Sequence, residues 1–245
     1  KNITTMDQKE LKKYRKEMQI IFQDPYSSLN PRITVGGMLT EIFKFHEIAE
    51  GEAAEKKVEN LLERVGLRKI HARRYPHEFS GGQKQRIGIA RALALQPKLL
   101  VCDEPVSALD VSVQAQIINL LKDIQQERGI GYLFVAHDLR VVRQISHRVA
   151  VMYLGSIVEQ APRQRLFSAA KHPYTRALLA AAPRLRAERS EHRDVLAGDL
   201  PHALFLPSGC GFRTRCPIAQ PLCAERQPLL REIAHDHFVA CHAVT

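Results

Sequence analysis

Four short stretches place reactive side chains where a folded backbone would aim them. Leu99-Leu100-Val101-Cys102 is an apolar run after Pro97 that ends in Asp103-Glu104-Pro105. Such a run is predicted as a parallel strand covered on both faces, and two carboxylates at its carboxyl end lie where open α/β sheets bind ligands. Taken alone, the pair could also be an acidic strand-to-loop corner. Phe79-Ser80-Gly81-Gly82-Gln83-Lys84-Gln85-Arg86 opens a helix predicted over 83–95, with Ser80 at the N-cap. Gly81 and Gly82 remove Cβ atoms there, so backbone N–H groups can approach an anion, and the helix dipole adds positive charge. A phosphate suits that spot, although a capped surface helix with a loose Gly-Gly entry has the same residues. Two more apolar strands end in one polar side chain each. Ile20-Ile21-Phe22 runs into Gln23, and Tyr132-Leu133-Phe134-Val135-Ala136 runs into His137, which by position alone is as readily structural as catalytic.

Four of the five cysteines fall in the last fifty residues, at Cys210, Cys216, Cys223 and Cys241, in C-x5-C-x6-C-x17-C spacing. Cys102, inside its apolar strand, reads as a small buried hydrophobe. A short Pro/Gly-punctuated segment with little core of its own calls for a staple. Thiolates suit zinc or an iron–sulfur cluster, and the spacing lacks the paired C-x2-C knuckles of a zinc ribbon. His235, His237 and His242 are spare nitrogen ligands that keep zinc open. Unrelated thiols or a disulfide pair are the plain alternatives.

The elements that must position these groups alternate helix and strand, which predicts an α/β fold. A charged helix over 9–17 leads into the Gln23 strand. Amphipathic helices follow over 37–45 and 52–65, the second with Val58, Leu61, Leu62 and Val65 on one face. Beyond Pro105 a helix over 111–128 carries Ile117, Leu120, Leu121 and Ile124, and a shorter one spans 139–146. The residues 149–154, Gly155 and 157–159 read as a hairpin, and His172 leads a helix ending at Pro183. The stretch 184–194 is charge-rich without periodicity and reads as a linker.

Composition narrows the class. The 245 residues can bury a full core. No signal-peptide pattern opens the chain, and apolar stretches such as 177–183 fall far short of a membrane span, so a soluble, cytosolic-type chain is expected, which disfavours disulfides. Lys and Arg number 36 against 26 Asp and Glu, for a net charge of +10. These cations are spread along the chain without interleaved aromatics, so no nucleic-acid partner is expected.

In their order, these motifs resemble the ATP-binding cassette (ABC) ATPases, and in particular the ATPase subunits of bacterial dipeptide and oligopeptide importers. The branch is marked by Asp24-Pro25-Tyr26-Ser27-Ser28-Leu29-Asn30-Pro31-Arg32, by His172-Pro173-Tyr174-Thr175, and by Pro207-Ser208-Gly209-Cys210-Gly211-Phe212-Arg213-Thr214-Arg215-Cys216. The resemblance implies a RecA-like P-loop NTPase fold with a helical subdomain over roughly 30–95. It divides the chain into an ATPase domain, 1–183, and a linker with a cysteine module, 184–245. It implies ATP and Mg²⁺ as cofactors, with Asp103 supporting Mg²⁺ and Glu104 as the general base for water. Gln23 touches Mg²⁺ or the lytic water, and His137 contacts the γ-phosphate. Ser80, Gly81, Gly82 and Gln83 bind the γ-phosphate of ATP held on a second ATPase subunit, and Asp110, after Ser107-Ala108-Leu109, aligns the two half-sites.

The same resemblance implies two membrane permease subunits, a periplasmic peptide-binding protein and a peripheral place on the cytoplasmic face of the bacterial inner membrane. Nickel or glutathione are the neighbouring substrates; a soluble non-transport ABC ATPase and an inactive remnant are the readings from other classes. Some tails of this kind carry a four-iron four-sulfur cluster, which favours it over zinc at the four cysteines, in a structural role without an apolar pocket. One expected motif is missing: no G-x-x-x-x-G-K-[ST] occurs among these residues. The ATPase domain is therefore expected to be incomplete at its N-terminus, and the chain as given inactive alone.

Overall fold

The computed structural model describes residues 2–24, 28–181 and 205–244. Pro25, Tyr26, Ser27 and the expected linker over 184–194 lie outside the described residues, as does the expected domain boundary at 183. The chain divides into two compact units, Lys1–Asp138 and Leu139–Thr245.

In the first unit, polar caps set the helix starts. Asp7 accepts the Glu10 N–H at 2.7 Å and opens α1 (Gln8–Glu17), and Thr34 accepts the Gly37 N–H at 3.1 Å to open α2 (Val35–Phe45). α3 (Gly51–Arg64) buries Ala54, Val58, Leu61 and Leu62 on its one apolar stripe. α4 (Gly81–Leu93) and α5 (Val111–Arg128) follow, and Gly129 ends α5 in the left-handed conformation at φ 65°. On α5 it is Ile118, rather than Leu120, that joins Ile117, Leu121 and Ile124 in the core.

Three parallel strands, β1 (Met18–Ile21), β2 (Leu99–Asp103) and β3 (Gly131–Val135), form a sheet in that order. The register aligns Ile21, Cys102 and Phe134 across the sheet. Burial alternates along the strands. Ile21, Leu100 and Cys102 are buried, whereas Ile20, Leu133 and Val135 are exposed. The expectation of strands covered on both faces is corrected: among the described residues one face is covered. Burial pushes the Cys102 thiol up to about 12, as befits an inert core group.

The second unit is built on an antiparallel sheet in the order β4-β5-β7-β6, comprising β4 (Arg148–Tyr153), β5 (Ser156–Pro162), β6 (Arg231–Ala234) and β7 (His237–Val239). Leu154 and Gly155 both have positive φ, 45° and 79°, the primed turn that matches strand twist in a two-residue hairpin. Helices α6 (Leu139–Ile145), α7 (Arg163–Ala169), α8 (Pro173–Ala181) and the single turn α9 (Leu222–Glu225) complete it. The described tail is not free-standing. Its strand β7 pairs with β5, Glu159 opposite Val239, and its Phe212 packs among Tyr153, His172 and Tyr174.

That junction hides a charge. Glu159 is fully buried, and its carboxylate accepts the N–H groups of Lys171 and His172 at 2.7 and 3.0 Å, just ahead of α8. His237 Nε2 lies 2.7 Å from the same carboxylate. A carboxylate at a helix N-terminus meets both the free N–H groups and the positive dipole end. The His172-Pro173-Tyr174-Thr175 segment thus opens α8 on Glu159, and His237 is engaged there rather than spare for metal.

Candidate functional site

The parallel register brings the polar strand ends together. Because Ile21, Cys102 and Phe134 are level, Gln23, Glu104 and His137 emerge two or three residues later at one edge. Gln23 Nε2 donates to Glu104 Oε2 at 3.0 Å, and His137 Nδ1 lies 3.1 Å from Glu104 Oε1. One carboxylate is therefore held from both sides by groups separated by over a hundred residues. Glu104 adopts φ 43°, and its N–H donates to Val135 O at 3.0 Å. A non-glycine residue in the left-handed region is strained backbone of the kind that clusters at functional sites. Asp103, the preceding residue, ends β2 half-buried.

The second group of sequence-derived residues forms a separate feature. Ser80 Oγ accepts the Gln83 N–H at 3.4 Å and Gln83 Oε1 accepts the Ser80 N–H at 3.1 Å, a reciprocal capping box on α4. Gly82 has a packing reason beyond anion approach: a Cβ there would lie 2.5 Å from Val113 Cγ1 on α5. That contact sets the N-termini of α4 and α5 side by side. Asp110 caps α5, accepting the Val113 N–H at 3.0 Å and the Ser112 hydroxyl at 2.7 Å. These two bonds, the Val113 amide first, hold the Asp110 carboxyl below its ordinary range.

The tail cysteines gather, but not around one ion. Burial raises the Cys210 and Cys216 thiols first; the sulfurs of Cys223 and Cys241 raise Cys210 further, and those of Cys241, Cys210 and Cys223 raise Cys216. Even so, among the described residues no three His, Cys, Asp or Glu side chains come close enough to hold a metal ion. The loop folds on backbone contacts. Cys210 N–H donates to Cys223 O at 2.8 Å, and Gly209, at φ 63°, has no room for a Cβ, which would fall 2.4 Å from that oxygen. The expected lack of an apolar pocket is corrected: a cavity of about 130 Å³ beside Cys210 is lined by Tyr153, Ile157, Val158, Leu206 and Phe212.

Comparison with known proteins places both units. Residues 1–107 match the family described as ABC transporter, and residues 158–223 match the oligopeptide/dipeptide transporter C-terminal region. The oligopeptide transport ATP-binding protein AppF of Bacillus subtilis is 52% identical over 98% of this chain and 74% of its own length. A probable peptide ABC transporter ATP-binding protein of Sinorhizobium fredii is 51% identical over 98% of this chain and 68% of its own. This chain belongs to the ABC transporter ATP-binding proteins.

Its fold agrees with that membership. CbiO1 of Clostridium perfringens, part of the ABC transporter complex cbiONQ, superimposes with a TM-score of 0.59 at 31% identity over 66% of this chain and 64% of that one. ABC ATPases bind ATP with Mg²⁺ and hydrolyse it, and the donor set here fits both. The Asp103 carboxylate and the Gln23 amide oxygen are the hard oxygen donors Mg²⁺ takes, and the α4 N-terminus suits phosphate. Magnesium there would neutralise phosphate charge. As for a membrane, no helix among the described residues is long and apolar enough to cross one.

Two supporting features escaped the sequence reading. Arg86 donates to Val65 O at 2.7 Å and to Gln116 Oε1 at 3.1 Å, tying α4 to the end of α3 and to α5. Gly66, at φ 75°, makes room for it, since a Cβ would lie 2.7 Å from Arg86 Nη1. A Gly after an amphipathic helix signals its end; nothing in sequence signals the arginine lodged there.

Proposed function

We infer that the chain powers uptake of di- or oligopeptides, as one of a pair of ATP-binding subunits on two membrane permease subunits. A periplasmic binding protein delivers the peptide, and the chain sits at the cytoplasmic face of the inner membrane. What supports the reading is the convergence of Gln23, Glu104 and His137 in one half, together with a tail half that matches peptide-transporter proteins.

Glu104 acts as the general base, oriented by Gln23 on one oxygen and His137 on the other. Asp103 supports Mg²⁺. Ser80, Gly81, Gly82 and Gln83 present the α4 N-terminus to the γ-phosphate on the companion subunit, and Asp110 sits beside it at the subunit seam. The Lys-bearing cradle for the β and γ phosphates is not among these 245 residues, so activity is tested in an assembled transporter whose subunit carries such a cradle together with these residues. Uptake of a labelled peptide, challenged with excess nickel or glutathione, tests the substrate class: peptide alone competes.

The four cysteines ligate one centre, a four-iron four-sulfur cluster rather than zinc. What supports a cluster over zinc is the cysteine spacing, which lacks the paired C-x2-C knuckles of a zinc ribbon. A cluster offers one iron to each thiolate. Anaerobic purification with iron, sulfide and zinc analysis is expected to give about four irons per chain. One zinc per chain, or four thiols freely alkylated in the folded protein, contradicts it.

A further inference from the structure

We propose that Arg91 is a positioning residue that clasps Phe22 and the Ser28 carbonyl to α4 and so holds Gln23 against Glu104. The inference rests on the reading of Gln23 and Glu104 as hydrolytic residues, and its closing experiment separates the two.

Arg91 lies near the C-terminal end of α4, which packs against β1. Its guanidinium Nη1 donates to Ser28 O, and its Cζ stands 5.8 Å from the centroid of the Phe22 ring. Both contacts leave its own helix and reach the segment that follows β1. Phe22 is the residue immediately before Gln23, and Ser28 lies five residues after it.

A flexible polar side chain can hold a 3.0 Å bond to a carboxylate only when its backbone is fixed. β1 fixes the chain as far as Ile21, where its pairing with β2 ends. Beyond that point the described contacts to the same arginine hold the two flanks of Gln23. The planar guanidinium suits this double task, stacking on a ring while one edge donates to a carbonyl, and a lysine ammonium cannot do both in one geometry. Phe22 is 46% exposed, so the cation over its ring, rather than core packing, accounts for its place.

α4 also carries Arg86, bonded to Val65 O and Gln116, so one helix links α3, α5 and the Gln23 segment. Its N-terminus bears the Ser80 capping box. A displacement of α4 would move Gln23 relative to Glu104, through Arg91.

Hydrogen exchange on the 245-residue chain tests the clasp without ATP. In Arg91→Gln, exchange over 19–24 is expected to rise about tenfold while α3 and β3 keep their protection; Arg91→Lys is expected to recover part of it. In the assembled transporter the same variant is expected to lower kcat about tenfold with KM for ATP within twofold. Unchanged exchange over 19–24, or an equal rise throughout the first unit, overturns the clasp. Gln23→Ala serves as the control. If it keeps full kcat, the hydrolytic reading of Gln23 fails while exchange still decides Arg91. If Gln23→Ala is impaired and Arg91→Gln is not, positioning by Arg91 is overturned.

Discussion

Glu104→Gln is expected to lower ATP hydrolysis by the assembled transporter roughly 10²–10⁴-fold while ATP-dependent pairing of the subunits persists. The substitution keeps shape and the backbone N–H bond to Val135 O, so the strand end and its positive φ are retained. What it removes is the negative charge that accepts a proton from water. It also replaces a carboxylate gripped by Gln23 Nε2 and His137 Nδ1 with an amide, which can satisfy only one of these neighbours as an acceptor. Ser80→Ala provides the contrast. It removes the cap on Gln83 and weakens the α4 N-terminus that faces the companion's nucleotide, so pairing falls first. Phosphate release and light scattering with Mg-ATP, measured on both variants, separate base from clamp. Equal loss of pairing in the two contradicts the role assigned to Glu104.

Glu159→Ala is expected to destabilise the second unit by about 3–5 kcal/mol, the cost of leaving a buried partner uncompensated. His237 and the N–H groups of Lys171 and His172 all lose their acceptor at a site closed to water. The loss would detach β7 and, with it, the anchorage of the tail. Urea melts followed by hydrogen exchange over 139–181 check it, and a change below 1 kcal/mol contradicts it. The same junction gives the stability a pH dependence. Burial, opposed by the Glu159 charge, lowers His172 from its ordinary 6.5 to about 4. The unfolded chain therefore binds a proton between these values that the folded chain refuses. Stability is complete above pH 6.5 and declines as pH falls toward 4, by about 3 kcal/mol. His172→Gln is expected to flatten that decline.

Much of this was legible in the residues because it is local. Ser80, Asp110 and Thr34 announce helix starts through side chains that reach three residues ahead, and Gly129 announces an end. The strands before Gln23, Glu104 and His137 are short apolar runs, and the site follows from laying them parallel in register. What stayed hidden depends on distant pairing. Glu159 looks like an ordinary polar residue in a hairpin until β7 arrives from the tail and buries it beside His237. The bonds of Arg86 to Val65 O and of Arg91 to Ser28 O are hidden too, because backbone carbonyls of remote segments carry no side-chain signature. The packing reason for Gly82 depends likewise on Val113 of another helix. The half-open face of the parallel sheet was misread for a related reason: an apolar run specifies burial, but not which neighbour supplies it.

Peptide uptake by the assembled transporter in proteoliposomes tests the central claim most directly, with ATP on the side of this subunit and labelled peptide with its binding protein on the other. The account predicts ATP-dependent accumulation that Glu104→Gln abolishes and that excess nickel or glutathione leaves unchanged. Accumulation that proceeds without ATP, or that survives Glu104→Gln, would contradict it.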